Sequence, residues 1–146
     1  MKTRQPHPKL RFIKLSLSAR YAIEGMTHLA RNGSSGFIGA GQTAKRRSLP
    51  AHFLMKVLRK LAARGLVESR RGPGGGFLLK RDPRRIRVWE IVDAADDKVP
   101  GRKQCLLGAN GCGDWKPCAV HATIVRAEQA VLRELERLTL AELAGL

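Results

Sequence analysis

The segment FLMKVLRKLAARGLVESRRGPGGGFLLK, residues 53–80, is the most informative part of the sequence for the fold class. Its first part repeats apolar residues at helical spacing, and Gly65 ends the repeat. The apolar positions are Phe53, Leu54, Val57, Leu58 and Leu61, and the opposite face carries His52, Lys56, Arg59, Lys60 and Arg64. Ser48 and Pro50 supply a helix start. We therefore predict a basic amphipathic helix over about residues 48–64.

The second part of the stretch has the pattern of a β-hairpin. A short strand over residues 66–69 leads into a glycine-rich tip over residues 70–76, and a second strand returns over residues 77–80. A phosphate-binding loop is excluded because no Gly-Lys-Ser/Thr follows. A dinucleotide-binding loop is excluded because a strand, and not a helix, comes next.

Helical patterns flank this unit on both sides. Before it we predict a helix capped by Ser16 or Ser18 that runs to about Arg31, and a less regular helix over about residues 41–47. After it we predict a helix with Val88, Ile91, Val92 and Ala95 on one face, a long helix over about residues 118–138, and a short one begun by the capping box of Thr139 and Glu142.

The order of these elements predicts a mostly α protein with a small β-hairpin. We expect a winged helix-turn-helix DNA-binding domain with a long C-terminal dimerisation helix. The predicted organisation is a basic flexible arm (residues 1–13), the winged helix-turn-helix (14–97), a cysteine-rich cluster-binding loop (98–118), and the dimerisation helix with a short C-terminal helix (119–146).

Positive charge is concentrated in the first part of the chain, whose formal net charge is +16. Residues 1–90 contain 21 Lys and Arg against 4 Asp and Glu, whereas residues 91–146 contain 7 against 8. Clustered positive charges repel one another and destabilise a compact fold unless a polyanion binds to them, so nucleic acid is the first partner to consider. A solvated basic face is the alternative.

Double-stranded promoter DNA is the predicted partner. The N-terminal turns of the basic helix would enter the major groove, and the hairpin would reach the backbone or the minor groove. The predicted contacts are Ser48, Pro50, His52, Met55, Lys56, Arg59 and Lys60 in and before the helix, and Arg70, Arg71, Gly72, Gly74 and Gly75 in the hairpin.

The long helix carries an apolar stripe formed by Ile124, Ala127, Val131, Leu135 and Leu138. This stripe is wider than the small basic domain is expected to cover, so we predict a homodimer that places two recognition helices about 34 Å apart on a palindrome. The alternative is that the helix packs against its own chain.

The sequence contains no apolar run of the length that a membrane span needs, and its basic start does not resemble a signal peptide. We therefore expect a cytoplasmic protein that does not act at a membrane. Paired carboxylates, a nucleophile with a base, and a cofactor loop are not recognised either. We expect neither an enzyme nor a small-molecule substrate.

All three cysteines, Cys105, Cys112 and Cys118, lie in one glycine-rich stretch. His121 follows the third cysteine by three residues, so the two side chains share a face at the start of the long helix. These four residues are candidate ligands of a metal site. The wide cysteine spacing favours an iron-sulfur cluster, because structural zinc sites usually pair cysteines two to four residues apart. Zinc and a thiol switch are the alternatives.

Four segments together resemble the IscR/NsrR type of Rrf-family transcriptional regulators: LSLSARYAIEGMTHLA (15–30), FLMKVLRKLAARGLVESRRGPGGGFLL (53–79), IRVWEIVDAAD (86–96) and CAVH (118–121). The resemblance implies a homodimer that binds promoter DNA and carries one iron-sulfur cluster per subunit, 2Fe-2S in preference to 4Fe-4S. Cluster supply, iron, redox stress or nitric oxide would be the signal. It maps the cluster ligands onto Cys105, Cys112, Cys118 and His121.

The sequence departs from this family pattern at two informative positions. Met55 replaces a glutamate that governs site preference in the family, and Arg20 stands where some relatives have an acidic ligand. Arginine cannot ligate iron, which strengthens the assignment of His121. The alternative function is a basic RNA-binding or ribosome-associated protein with a structural zinc at the same four residues.

Overall fold

The computed structural model describes residues 15–96 and 118–146. It is mostly helical with one two-stranded antiparallel hairpin, which confirms the predicted fold class. The elements, in chain order, are α1 (Leu17–Asn32), α2 (Ala40–Arg47), α3 (Ala51–Ala63), β1 (Val67–Arg70), β2 (Gly76–Leu79), α4 (Val88–Ala95), α5 (Ala119–Arg137) and α6 (Leu140–Ala144), with 3-10 turns at Gly33–Ser35 and Pro83–Arg85.

Helix α1 is central to the hydrophobic core. Ser16 caps it, since its hydroxyl accepts a hydrogen bond from the Ala19 N–H at 2.9 Å. Ala22, Met26 and Leu29 are fully buried along one face, and α1 packs against α2, α3, α4 and α6. The predicted cap and the predicted apolar face of this helix are both present.

The turn between α2 and α3 gives the helix-turn-helix its shape. Ser48 ends α2 in the left-handed conformation, with φ 53°, and Leu49 then donates its N–H to the Ala44 carbonyl at 2.8 Å. Pro50 precedes α3, which buries Leu54, Val57, Leu58 and Leu61 against the core. This helix is slightly shorter than the predicted span of residues 48–64.

The hairpin, which we call the wing, pairs Val67 with Leu79 and Arg70 with Gly76. Its tip is a turn in which Gly75 donates its N–H to the Gly72 carbonyl at 3.0 Å. Pro73 and Gly74, the latter with φ 71°, take the central positions, as a type II turn requires.

A third segment extends the wing on the β2 side. Ile38 and Phe77 exchange two backbone hydrogen bonds of 2.9 and 2.8 Å, although Ile38 lies in the connection between α1 and α2. Both side chains are buried. The sequence predicts no strand in this connection, so the bridge is a finding of the structure.

The end of α5 is fixed to the segment before α4. Val88 donates its N–H to the Leu138 carbonyl at 2.9 Å, Leu140 donates to the Ile86 carbonyl at 2.8 Å, and the Arg87 guanidinium donates to the Arg137 carbonyl at 2.7 Å. These bonds hold the C-terminal end of the long helix against α4.

Glu90 supports the same junction. Its carboxylate accepts from the Arg81 side chain and from the Arg87 N–H, at 2.5 and 3.1 Å. Partial burial raises the pKa of Glu90, but these hydrogen bonds and the two arginine charges outweigh it, so the pKa lies below its usual value. Glu90 is therefore ionised at neutral pH.

Helix α6 packs back against α1. Its start has the predicted capping box, in which the Glu142 N–H donates to the Thr139 hydroxyl at 3.2 Å. Leu140, Ala141 and Ala144 are buried, and Arg31 of α1 donates to the Ala144 carbonyl at 2.9 Å. We call the unit of α1–α4, the wing and α6 the body.

Replacing Thr43 with valine is expected to stabilise the body. Thr43 is fully buried in α2, and within residues 15–96 and 118–146 its hydroxyl has no hydrogen-bond partner. Valine keeps the shape and removes the unsatisfied oxygen, so the free energy of unfolding should rise by about 1 kcal/mol. Urea unfolding followed by circular dichroism, at one protein concentration, measures the change. The exposed Thr123→Val variant is the control, and a lower stability of Thr43→Val would contradict the expectation.

Candidate nucleic-acid interface and sensor site

The exposed face of α3 carries three of the predicted DNA contacts. His52, Lys56 and Arg59 are exposed at positions i, i+4 and i+7, opposite the buried Leu54 and Leu58. Ser48 and Pro50 are also exposed, in the turn that leads into the helix. The N-terminal part of α3 therefore presents a basic surface to solvent.

Two other predicted contacts lie away from this exposed face. Met55 is half-buried and packs against the hydrophobic core. Lys60 is half-buried, and its ammonium group donates to the Ala95 carbonyl at the end of α4, at 3.5 Å. Arg64, at the end of the same helix, pairs with Asp93 at 2.5 Å. The later turn of α3 thus contributes its cations to packing against α4.

The wing presents the exposed arginines Arg70 and Arg71. Gly72 and Gly74 are exposed as well, and their φ values of 85° and 71° favour glycine. At Gly75 a Cβ would overlap the Arg70 carbonyl of the wing itself. These glycines are predicted DNA contacts, and the structure shows that the turn of the wing itself requires them.

A ring contact in the wing was not predicted from the sequence. The guanidinium carbon of Arg70 lies 4.0 Å from the centroid of the Phe37 ring. The two residues are far apart in sequence, and the Ile38–Phe77 bridge brings them together. No local pattern indicates such a contact.

The end of α2 adds cations that are not among the predicted DNA contacts. Lys45 and Arg46 are exposed, and Arg47 forms an ion pair with Glu24 of α1. The sequence signal for these cations is the run KRR, directly before the predicted start of α3.

His28 of α1 lies close to these cations. Partial burial and the positive charge of Arg46 lower the pKa of His28, whose Nδ1 lies 3.3 Å from the Asn32 side-chain nitrogen.

Two of the four predicted metal ligands lie at the start of α5. Cys118 caps the helix, is exposed, and accepts a hydrogen bond from the His121 N–H at 3.4 Å. Cys105 and Cys112 lie outside the described residues, as does the predicted arm of residues 1–13. Among the described residues, no three His, Cys, Asp or Glu side chains form a group that could hold a metal ion.

Helix α5 has a partly exposed apolar stripe. None of its 19 residues is buried. Ile124, Ala127 and Val131 are half-exposed, whereas Leu135 and the following Leu138 contact the cluster of Ala19, Val88 and Val92. The alternative of packing against its own chain thus applies to the C-terminal end of the stripe.

The exposed basic helix of a helix-turn-helix, followed by an arginine-flanked wing, defines a winged-helix DNA-binding protein. The profile of the Rrf2 family, described as an iron-dependent transcriptional regulator, matches residues 15–145. The chain belongs to the Rrf2 family. This membership confirms the resemblance stated above.

Individual relatives support membership of the Rrf2 family. The transcriptional regulator IscR of Cronobacter sakazakii is 32% identical over 133 residues, which are 91% of this chain and 81% of that protein. IscR of Escherichia coli O139:H28 is 31% identical over 133 residues, with the same coverage of 91% and 81%. The chain is thus an IscR-like, DNA-binding transcriptional regulator and not an enzyme. These relatives give no support to an RNA-binding protein.

Solved structures share the fold. CymR of B. subtilis, described as its global cysteine regulator, superposes with a TM-score of 0.74 at 26% identity and covers 92% of this chain and 98% of its own. IscR of T. potens superposes with a TM-score of 0.71 at 23% identity and covers 90% of this chain and 86% of its own. No helix within the described parts of the chain is long and apolar enough to cross a membrane.

Proposed function

We propose that this protein is a cytoplasmic, homodimeric regulator whose promoter binding is controlled by an iron-sulfur cluster. Cys105, Cys112, Cys118 and His121 would hold the cluster. The observation that carries the proposal is the position of Cys118 and His121 in the first turn of α5, which follows the stretch that contains the other two cysteines.

The DNA-binding part of the proposal assigns roles to the body. His52, Lys56 and Arg59 would face the major groove from the exposed side of α3, with Ser48 and Pro50 at its entrance. Arg70 and Arg71 of the wing would contact the phosphate backbone or the minor groove. The cations of α3 and of the wing would supply affinity through phosphate contacts, and α3 in the major groove would also supply sequence preference.

The donor set fits an iron-sulfur cluster. Thiolates are the ordinary ligands of such clusters, and an imidazole takes the place of a thiolate in some of them. Cys118 is exposed at a helix N-terminus, so its sulfur is accessible to a metal. When bound, a 2Fe-2S cluster would supply a redox-sensitive, reversibly lost group. Zinc at the same residues is the alternative.

The dimer is proposed from α5. A helix of 19 residues with no buried residue leaves Ile124, Ala127 and Val131 half-exposed in the isolated chain. A second copy of the same helix would cover them. A two-fold arrangement would then present two copies of α3 to successive half-sites.

Control by the cluster is proposed to act through residues 97–117, which connect α4 to α5 in the sequence. Asp96 precedes them and accepts a hydrogen bond from Ser16 at the start of α1. Cys118 follows them, and the other end of α5 is bonded to the segment around Arg87. Binding of the cluster by Cys105, Cys112 and Cys118 would therefore adjust α5 against the body and set the spacing of the two α3 helices.

The test is anaerobic purification followed by iron and sulfide analysis, visible absorption spectra, and footprinting of the loaded and cluster-free forms on the protein's own promoter. We expect a coloured protein that contains iron and sulfide, with a footprint that depends on the cluster. His121→Ala should shorten the lifetime of the cluster, whereas Thr123→Ala, on the next turn of the same helix, should leave it unchanged. A colourless zinc protein that binds without sequence preference would support the RNA-binding alternative.

A further inference from the structure

The contact between Phe37 and Arg70 is determined by the strand pairing of the wing. Ile38 and Phe77 pair with their side chains in the core, at 5% and 4% exposure. Side chains alternate along extended segments, so Phe37 and Gly76 belong to the opposite face of the sheet. Arg70 is paired with Gly76 and shares that face.

Gly76 makes this contact sterically possible. It lies between the Ile38 segment and Arg70, and it has no side chain that could separate them. A Cβ at Gly76 would also overlap the carbonyl oxygen of Ile38, so the close strand spacing itself depends on glycine. The Arg70 guanidinium therefore reaches across Gly76 to the Phe37 ring, at 4.0 Å.

Stacking leaves the arginine able to bind an anion. A guanidinium over an aromatic ring uses its flat face, while its N–H donors project from the edge. Within residues 15–96 and 118–146 no carboxylate forms an ion pair with Arg70, which is exposed. The ring restricts the side chain without occupying its hydrogen-bond donors.

We propose that Phe37 is a positioning residue for DNA binding, which holds Arg70 in place to contact a backbone phosphate beside the wing. This inference rests on the proposed DNA interface and adds a residue outside α3 and the hairpin. Because the ring already restricts the arginine, less side-chain freedom is lost when the phosphate contact forms.

A double-mutant cycle tests the proposal. The binding of wild type, Phe37→Leu, Arg70→Met and the double variant to a duplex of the protein's own promoter is measured by fluorescence anisotropy over a series of salt concentrations. We expect Phe37→Leu to weaken binding about fivefold and to leave the salt dependence unchanged. Arg70→Met should lower the slope of log K against log salt by about 0.9. In the Arg70→Met background, Phe37→Leu should have no effect.

Two further results decide the outcome. Phe37→Trp keeps an aromatic face and should retain wild-type affinity. An equal effect of Phe37→Leu in the wild-type and Arg70→Met backgrounds would overturn the inference, because it would show that the role of Phe37 is merely structural. The absence of any effect of Phe37→Leu on binding would overturn the inference as well. A wild-type protein that binds no duplex would instead refute the proposed DNA interface itself. Circular dichroism melts verify that each variant is folded.

Discussion

Gly76→Ala is expected to destabilise the protein by about 3 kcal/mol. Gly76 has φ 142°, where a residue with a side chain is strained, and a new Cβ would overlap the carbonyl of Ile38 and lie 2.8 Å from the Gly39 nitrogen. These atoms belong to the backbone and cannot rotate away. The two hydrogen bonds between Ile38 and Phe77 would be lost or distorted, and both buried side chains would shift.

Urea unfolding, followed by circular dichroism at one protein concentration, measures this loss. Gly39→Ala is the matched control, because Gly39 has φ −66° and a Cβ there would meet nothing within 4 Å. We expect this control to stay within about 0.5 kcal/mol of wild type. A Gly76→Ala variant as stable as Gly39→Ala would show that the third segment of the wing does not form.

The double variant Lys56→Gln and Arg59→Gln is expected to bind promoter DNA about 60-fold more weakly than wild type at 0.1 M salt. Both cations are exposed on the face of α3 that is proposed to enter the major groove. Each lost phosphate contact should reduce the slope of log K against log salt by about 0.9. Anisotropy titrations over a salt series measure both the affinity and the slope.

Arg84→Gln with Arg85→Gln provides a control with the same change in charge. These two exposed arginines lie in the 3-10 turn Pro83–Arg85, which packs against α6. We expect at most a small loss of DNA affinity in this control, caused by its lower net positive charge. Equal losses in the two double variants would show that net charge, and not the exposed face of α3, determines binding.

The elements that the sequence predicted well have local signals. The apolar spacing in residues 53–61 determines which face of α3 is buried, and Gly65 follows its end. Ser16 and the pair of Thr139 and Glu142 cap their helices as the local pattern indicated. Such signals act within one or two helical turns, so they can be recognised without knowledge of the fold.

Features that depend on distant pairing were not predictable in this way. The bridge between Ile38 and Phe77 and the contact of Phe37 with Arg70 join segments more than 30 residues apart. The hydrogen bond from the Lys60 ammonium group to the Ala95 carbonyl of α4 also joins segments that are distant in sequence. Charge patterns along one helix do not show which neighbouring element a long side chain reaches.

The return of α6 to the body has a consequence for protein synthesis. Leu140 is completely buried, and with Ala141 and Ala144 it completes the core around α1. A nascent chain grows from its N-terminus at about 5–20 residues per second, and domains fold as units. The body therefore cannot complete its core until residue 144 has left the ribosome, by which time all three thiols have been translated. A nascent chain therefore cannot finish folding the body before all three cysteines have been synthesised.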